Sequence, residues 1–299
     1  AGFVDPNVLL FMGMFVIGEA FFATGVAVGV GNVVHKFAKT ETSLLVAVMM
    51  ITGILSGFLS NTGTAAVLIP VIIGICKKSG FKQTKLLMPL VFAAAMGGNI
   101  SLIGAPGNMI AQAGLQQAGL GSFGFFDYGL VGLPILIVGT IFYATIGKCF
   151  LPDAPSHQPD GAFEGNDDYS HVPSWKKWTA AIVLILTIVA MIFEKQLGVK
   201  LYVSAWVGAL VLVDTNVISE TAAVKSIDIK TIMLFAGSMA LGDAMVKTDT
   251  GGVIADIIVN SLGASPSPIV VLVVLFVLGV FMTNFMSNTA TCALLVPIG

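Results

Sequence analysis

Ser-Asn-Thr occurs twice in this chain, each time inside an apolar run. One copy is Ser60-Asn61-Thr62-Gly63-Thr64-Ala65-Ala66-Val67-Leu68-Ile69-Pro70; the other is Ser287-Asn288-Thr289-Ala290-Thr291-Cys292-Ala293-Leu294-Leu295-Val296-Pro297. Bare polar side chains are costly in such surroundings and tend to mark pathways or sites. Ser56 and Ser60 lie four apart, on one helix face, and Thr283 and Ser287 repeat that spacing. Gly53, Gly57 and Gly63 weaken the helix around the first triplet, and Pro70 is expected to disrupt it further along. A helix broken at Ser60–Thr62 exposes carbonyls from one half and N–H groups from the other. Carbonyls, hydroxyls and the Asn61 amide oxygen are hard ligands suited to a small cation. The positive end of the second half suits a carboxylate. One such triplet is explained by helix packing through small polar residues; two at matching positions favour a site.

A third polar segment, Gly97-Gly98-Asn99-Ile100-Ser101-Leu102-Ile103-Gly104-Ala105-Pro106-Gly107-Asn108, lies midway along an apolar span. Its Gly, Pro and Asn content predicts unwound backbone facing the first triplet. Its glycine spacing fits no phosphate-binding fingerprint. The intramembrane acids are Glu19 and Asp243, at equivalent repeat positions, with Asp249 and Asp256. They are read as partners for backbone groups or for Lys247, with proton or cation coupling as the alternative. No HExxH, GxSxG or buried catalytic histidine is present, so an enzyme is not expected. Cys76, Cys149 and Cys292 share no metal-ligand spacing and read as packing thiols; His157 and His171 are assigned no metal.

The elements that must position these residues are membrane helices. The chain is 56% hydrophobic and 10% charged, with a mean hydropathy of +0.96, whereas soluble domains carry about 25% charged residues. A net charge of −2 gives no electrostatic footprint for nucleic acid. The chain has no arginine, so no guanidinium fork holds a ligand. Leu10-Phe11-Met12-Gly13-Met14 matches Leu234-Phe235-Ala236-Gly237-Ser238, Gly18-Glu19 matches Gly242-Asp243, and Thr24-Gly25 matches Thr250-Gly251. These pairs define an internal repeat. The expected order is a re-entrant hairpin over 5–36, then three spans within 43–150, the first being a broken helix over 43–75. A polar loop at 151–175, two spans in 176–228, a second hairpin over 229–262 and a second broken helix over 267–299 follow. The chain begins at Ala1 and stops inside an apolar segment, so a longer parent is expected. Five spans between the hairpins place these on opposite membrane faces, and the repeats are then inverted. Lys77, Lys78, Lys82, Lys85, Lys148, Lys176, Lys177, Lys225 and Lys230 share one face. By the positive-inside rule that face is cytoplasmic.

Taken together, the paired triplets, the paired hairpins and the Gly/Pro/Asn loop resemble, in order, the divalent anion/sodium symporters, the dicarboxylate and citrate carriers of a wider ion-transporter superfamily. The resemblance covers essentially the whole chain. It implies an all-α polytopic membrane protein of inverted-topology repeats, integral to the plasma (inner) membrane. By position it implies that Ser56, Ser60 and Asn61, with backbone near Gly104, hold one sodium ion. Thr283, Asn288 and backbone near Met286 hold a second, and Asn61, Thr62, Asn288 and Thr289 contact substrate carboxylates. The family loop commonly carries Thr-Pro-Pro-Asn where this chain has Ala105-Pro106-Gly107-Asn108. The family also places the first hairpin on the cytoplasmic side, opposite to the lysine count, and the family placement is adopted.

The resulting expectation is a sodium-coupled importer of a small divalent anion, a C4-dicarboxylate such as succinate. It works by elevator-type alternating access, as a homodimer through a scaffold mostly outside this chain. The alternatives are an anion/anion exchanger, a sulfate, oxyanion or citrate carrier on the same fold, and, from another class, an ion channel.

Overall fold

A computed structural model describes residues 5–29, 40–79, 81–151, 169–248 and 267–296, together with Val253. Every regular element among the described residues is a helix. The chain divides into two units: a larger one of Met12–Ala105 and Gly124–Ile227, and a smaller one of Ala1–Phe11, Pro106–Phe123 and Asp228–Gly299.

Helix α1 (Pro6–Ala23) opens at Asp5, whose carboxylate accepts the Asn7 N–H at 2.8 Å. It ends where expected, at Thr24–Gly25: Gly25 has φ +75°, and the Thr24 hydroxyl donates back to the Ala20 carbonyl at 2.7 Å. Residues 26–29 are again helical. The arm expected to return over 30–36 lies outside the described residues. So do the tip and second arm of the other expected hairpin, save Val253; the first arm of that hairpin is α10 (Ile229–Thr248).

In the larger unit, α2 (Glu41–Ser56) and α3 (Asn61–Ser79) are separated by residues 57–60. A helix interrupted at the triplet is what the sequence predicts. The direction taken by the second half is not. Leu44, Leu45, Val48 and Met49, near the start of α2, share one buried cluster with Leu68, at mid-α3, and Ile72, Ile75 and Cys76 in its far half. Glu41, the first residue of α2, is close enough to act electrostatically on Cys76. The start of α2 therefore lies beside the end of α3, and the two helices form an antiparallel hairpin with the triplet at its tip. Helix α3 runs unbroken through position 70, contrary to the expected disruption. A membrane helix tolerates an internal proline when neighbouring groups serve the freed carbonyl.

Helix α4 (Thr84–Gly97) packs along this hairpin through Leu86, Leu90 and Ala93. Hydrocarbon solvates a leucine as well as another leucine does, so helix association in lipid rests on close packing of small residues. The α2–α4 contact obeys this rule. A methyl group on Gly97 would overlap the Gly53 carbonyl, so the two backbones touch directly. Leu136 of α6 (Gly129–Phe142) covers the same glycine of α2. Helix α6 continues through a π-helical turn, Tyr143–Gly147, to Phe150. This helix of 22 residues is strongly apolar and mostly exposed, which fits a helix solvated by lipid. Helices α7 (Ser174–Ile192) and α8 (Leu201–Asp214) pack through Thr187 against Gly208, and Gly13 of α1 meets Ala205 of α8. A short helix that the sequence reading did not anticipate, α9 (Glu220–Ser226), follows, capped by Ser219.

The apolar span expected to run through Gly97–Asn108 is two helices, α4 and α5 (Pro106–Gln117), around an irregular segment at 98–105. The unwound stretch is thus shorter than predicted. Pro106, Gly107 and Asn108 open α5, because proline is well placed at a first helical position where its missing N–H has no partner to lose. In the smaller unit, α5 packs with α10 and with α12 (Asn288–Leu295), and α11 (Pro268–Met282) precedes the second triplet.

Candidate binding site at the two triplets

The first triplet is held entirely within the larger unit. Ser60 lies between the helices, and its hydroxyl accepts the Gly63 N–H at 3.1 Å, which makes it the N-cap of α3. The Ser60 carbonyl accepts the Thr64 N–H at 2.9 Å. Thr62 is exposed in that first turn, where backbone N–H groups have no intrahelical acceptor.

Behind the cap, oxygens converge. The Ser56 hydroxyl, fully buried, donates to the Ala94 carbonyl at 2.7 Å and lies 2.7 Å from the Asn61 amide. With its nitrogen turned inward, the Asn61 amide donates to Ser56 Oγ at 2.7 Å and to the Ala94 and Gly104 carbonyls at 3.2 Å each. With its oxygen turned inward, four oxygen atoms face one another: Ser56 Oγ, Asn61 Oδ1, Ala94 O and Gly104 O. A cation is the kind of group such an arrangement can hold. The ligands are all neutral, with no carboxylate, a set that suits a hard monovalent ion better than a divalent one.

The irregular segment 98–105 closes this cluster as the sequence anticipated. A Cβ on Gly98 would stand 2.5 Å from Asn61 Oδ1, and one on Gly104 would stand 2.8 Å from the Gly57 carbonyl oxygen. Only glycine permits this backbone approach. The Ser101 hydroxyl donates to the Gly57 carbonyl and accepts the Ile103 N–H at 3.2 Å, tying loop to tip. The Leu102 N–H donates to the Phe125 carbonyl at 2.9 Å.

Of the residues expected at the first sodium ion, Ser56, Asn61 and Gly104 meet in the cluster, and the Ser60 hydroxyl stands at the helix cap, where it accepts the Gly63 N–H. The Ala94 carbonyl takes part without having been foreseen. A main-chain oxygen carries no sequence signal, and Ala94 became a neighbour only when α4 packed beside the hairpin.

The second triplet lies in the smaller unit and has the same local form. Ser287 caps α12, its hydroxyl accepting the Ala290 N–H at 3.2 Å, just as Ser60 caps α3. The polar groups before it do not converge. The Thr283 hydroxyl donates to the Val280 carbonyl at 3.2 Å, the Asn284 amide donates to the same carbonyl at 2.7 Å, and the Met286 N–H bonds to the Met282 carbonyl at 3.1 Å. Asn288 is exposed and Thr289 half-buried in the first turn of α12. Helix α12 is fixed against α5, where a Cβ on Gly107 would stand 2.8 Å from Cys292 Sγ. Gly107→Ala is expected to lower thermal stability by about 1 kcal/mol, and adding Cys292→Ala restores most of it. A double-mutant cycle of melting temperatures measures that coupling.

Glu19 is half-buried on α1; the side chains of Asp243, Asp249 and Asp256 lie outside the described residues.

The two triplets thus share one local form, a serine-capped helix start in an apolar setting. A family model described as citrate transporter matches residues 1–299. An uncharacterised transporter of Haemophilus influenzae is 26% identical over 99% of this chain and 66% of its own length. The uncharacterised transporter YfbS of Escherichia coli is 32% identical over 54% of this chain and 27% of its own length. A probable sodium/sulfate cotransporter of Chlamydomonas reinhardtii is 28% identical over 51% of the chain and 18% of its own length. The chain thus spans at most about two thirds of these curated relatives. Among solved structures, the YdaH transporter of Alcanivorax borkumensis superposes with a TM-score of 0.67 at 14% identity, over 99% of this chain and 68% of the other, so the fold is shared. The chain is an integral membrane protein and belongs to the citrate transporter family.

Proposed function

We propose that this chain carries the binding machinery of a sodium-coupled importer of small divalent anions, with a C4-dicarboxylate such as succinate as cargo. The observation that carries the reading is the cluster of four neutral oxygens behind the α3 cap, one helix turn from exposed N–H groups and the Thr62 hydroxyl. Sodium enters at Ser56, Asn61, Ala94 and Gly104 and turns the Asn61 amide oxygen toward itself. That step orders the hairpin tip and its N–H groups before the anion arrives, so sodium lowers the ordering cost of anion binding. Asn61 and Thr62 take carboxylate contacts at the first triplet, and Asn288 and Thr289 at the second. Thr283, Asn288 and the Met286 backbone serve a second sodium ion. Helix N-termini and sodium supply the positive field that arginine supplies elsewhere. Transport follows elevator-type alternating access between inverted repeats, in a homodimer.

The family model's description and the name of the algal relative favour citrate and sulfate as second readings of the cargo. Radiolabelled succinate uptake into proteoliposomes, with and without an inward sodium gradient, tests the reading. Gradient-dependent uptake is expected, with sulfate and citrate as competitors in the same assay. Uptake that needs internal dicarboxylate instead of sodium identifies an exchanger, and uptake of none of the three anions under a gradient overturns the proposal.

A further inference from the structure

Helix α1 brings an aromatic ring to the first triplet. Gly18 of α1 packs on Leu59, with a Cβ position 3.8 Å from Leu59 Cδ2. One turn later, Phe22 lies against Gly63: a Cβ there would stand 2.6 Å from Phe22 Cε2 and 3.2 Å from Cζ. These two contacts bracket Ser60-Asn61-Thr62. The same Cβ would be 2.6 Å from Ser60 Oγ, so the ring covers the turn in which Ser60 caps α3. Phe22 is half-buried, whereas Ser60 and Thr62 beside it are exposed. Its neighbour Phe21 is 5% exposed and meets it edge to face at 6.1 Å, and α1 ends one residue further on. The ring is therefore packed against Phe21 and lies beside the exposed turn of Ser60 and Thr62.

We propose that Phe22 is a specificity-determining residue, an apolar wall that limits the size of the anion received at the first triplet. The inference rests on the transport reading above. A phenyl ring offers no hydrogen bond to a carboxylate oxygen, and a charged arm pressed against it loses water without gaining a partner. Compact dianions that end at the α3 N-terminus avoid the ring. An anion with a third carboxylate arm does not. Gly63 is the enabling residue, since any side chain there would push the ring away.

The test is a competition series in proteoliposomes of this protein with sodium present, using sulfate, succinate and citrate against whichever anion is taken up best. Phe22→Ala is expected to shift the citrate-to-sulfate ratio of apparent affinities about tenfold toward citrate, with Phe22→Leu between it and the parent. The apparent affinity for sodium stays unchanged, because none of the four clustered oxygens is altered. An unchanged ratio in Phe22→Leu, which keeps an apolar filler and the fold, overturns the inference even if uptake falls. Sodium affinity that falls together with uptake does the same, since it marks a packing role. If the parent takes up none of the three anions, the transport reading fails and the inference falls with it. A parent that transports with an unshifted ratio refutes the role of Phe22 alone.

Discussion

In Asn61→Ala, sodium-dependent uptake is expected to fall to background, and sodium-induced thermal stabilisation to be lost over the range in which the parent responds. The amide reaches Ser56 Oγ, Ala94 O and Gly104 O together, at 2.7, 3.2 and 3.2 Å. Removing it deletes a ligand from the proposed cation cluster and takes one donor from the Gly104 carbonyl in the ion-free state, while the Ser56 hydroxyl stays on the Ala94 carbonyl. A lost charge-assisted contact is worth about 1.5–3 kcal/mol, or roughly 10- to 150-fold in apparent sodium affinity. Thr62→Ala separates the two halves of the mechanism. It should leave sodium stabilisation intact and weaken only the additional effect of the anion, because Thr62 is exposed beside the cluster. Asn61→Asp should depend on a cation more strongly than the parent, since a carboxylate facing three acceptors needs positive charge to remain ionised. Full sodium-dependent uptake by Asn61→Ala would remove the basis of the proposed coupling. The measurements are uptake in proteoliposomes and melting temperature against sodium concentration.

Gly97→Ala should prevent the larger unit from packing. The added methyl would overlap the Gly53 carbonyl, and that neighbour is backbone, which cannot rotate aside as a side chain can. Overpacking costs about 1–3 kcal/mol even where flexible side chains yield; here the upper end or beyond is expected, with aggregation on extraction into detergent. Because α4 also presents the Ala94 carbonyl to the cluster, any protein that survives should bind sodium weakly. Gly74→Ala is the matched control: it lies on α3 with nothing within 4 Å of the added carbon and should be nearly neutral. Size-exclusion profiles and thermal melts of the two variants decide the point. A monodisperse Gly97→Ala protein that melts like the parent would show that α2 and α4 are not in backbone contact.

Much of this was legible in the chain. The bilayer setting follows from long apolar runs with few charges. Both helix interruptions follow from Ser-Asn-Thr in apolar surroundings, because serine is a good N-cap and a helix starting there needs no other signal. The loop at 98–105 follows from its glycines. Sequence reasoning overextended where a local rule met its context: Pro70 does not end α3, and Pro106 begins a helix instead of prolonging a loop.

The sequence by itself determined which residues are polar in an apolar frame, where helices stop and start, and that the pattern occurs twice. Those properties are local, written in propensity, capping and hydropathy. The tertiary structure decided that α3 folds back along α2, so that the triplet occupies a hairpin tip. It decided that the Ala94 carbonyl completes the oxygen cluster while Ser60 serves the cap, and that the Phe22 ring lies on Gly63. Each of these depends on which backbone comes within contact distance of another. In lipid, where apolar surface gains nothing by leaving its surroundings, close backbone approach of Gly97 to Gly53 and of Gly104 to Gly57 selects the packing, and those partners are set by the fold as a whole.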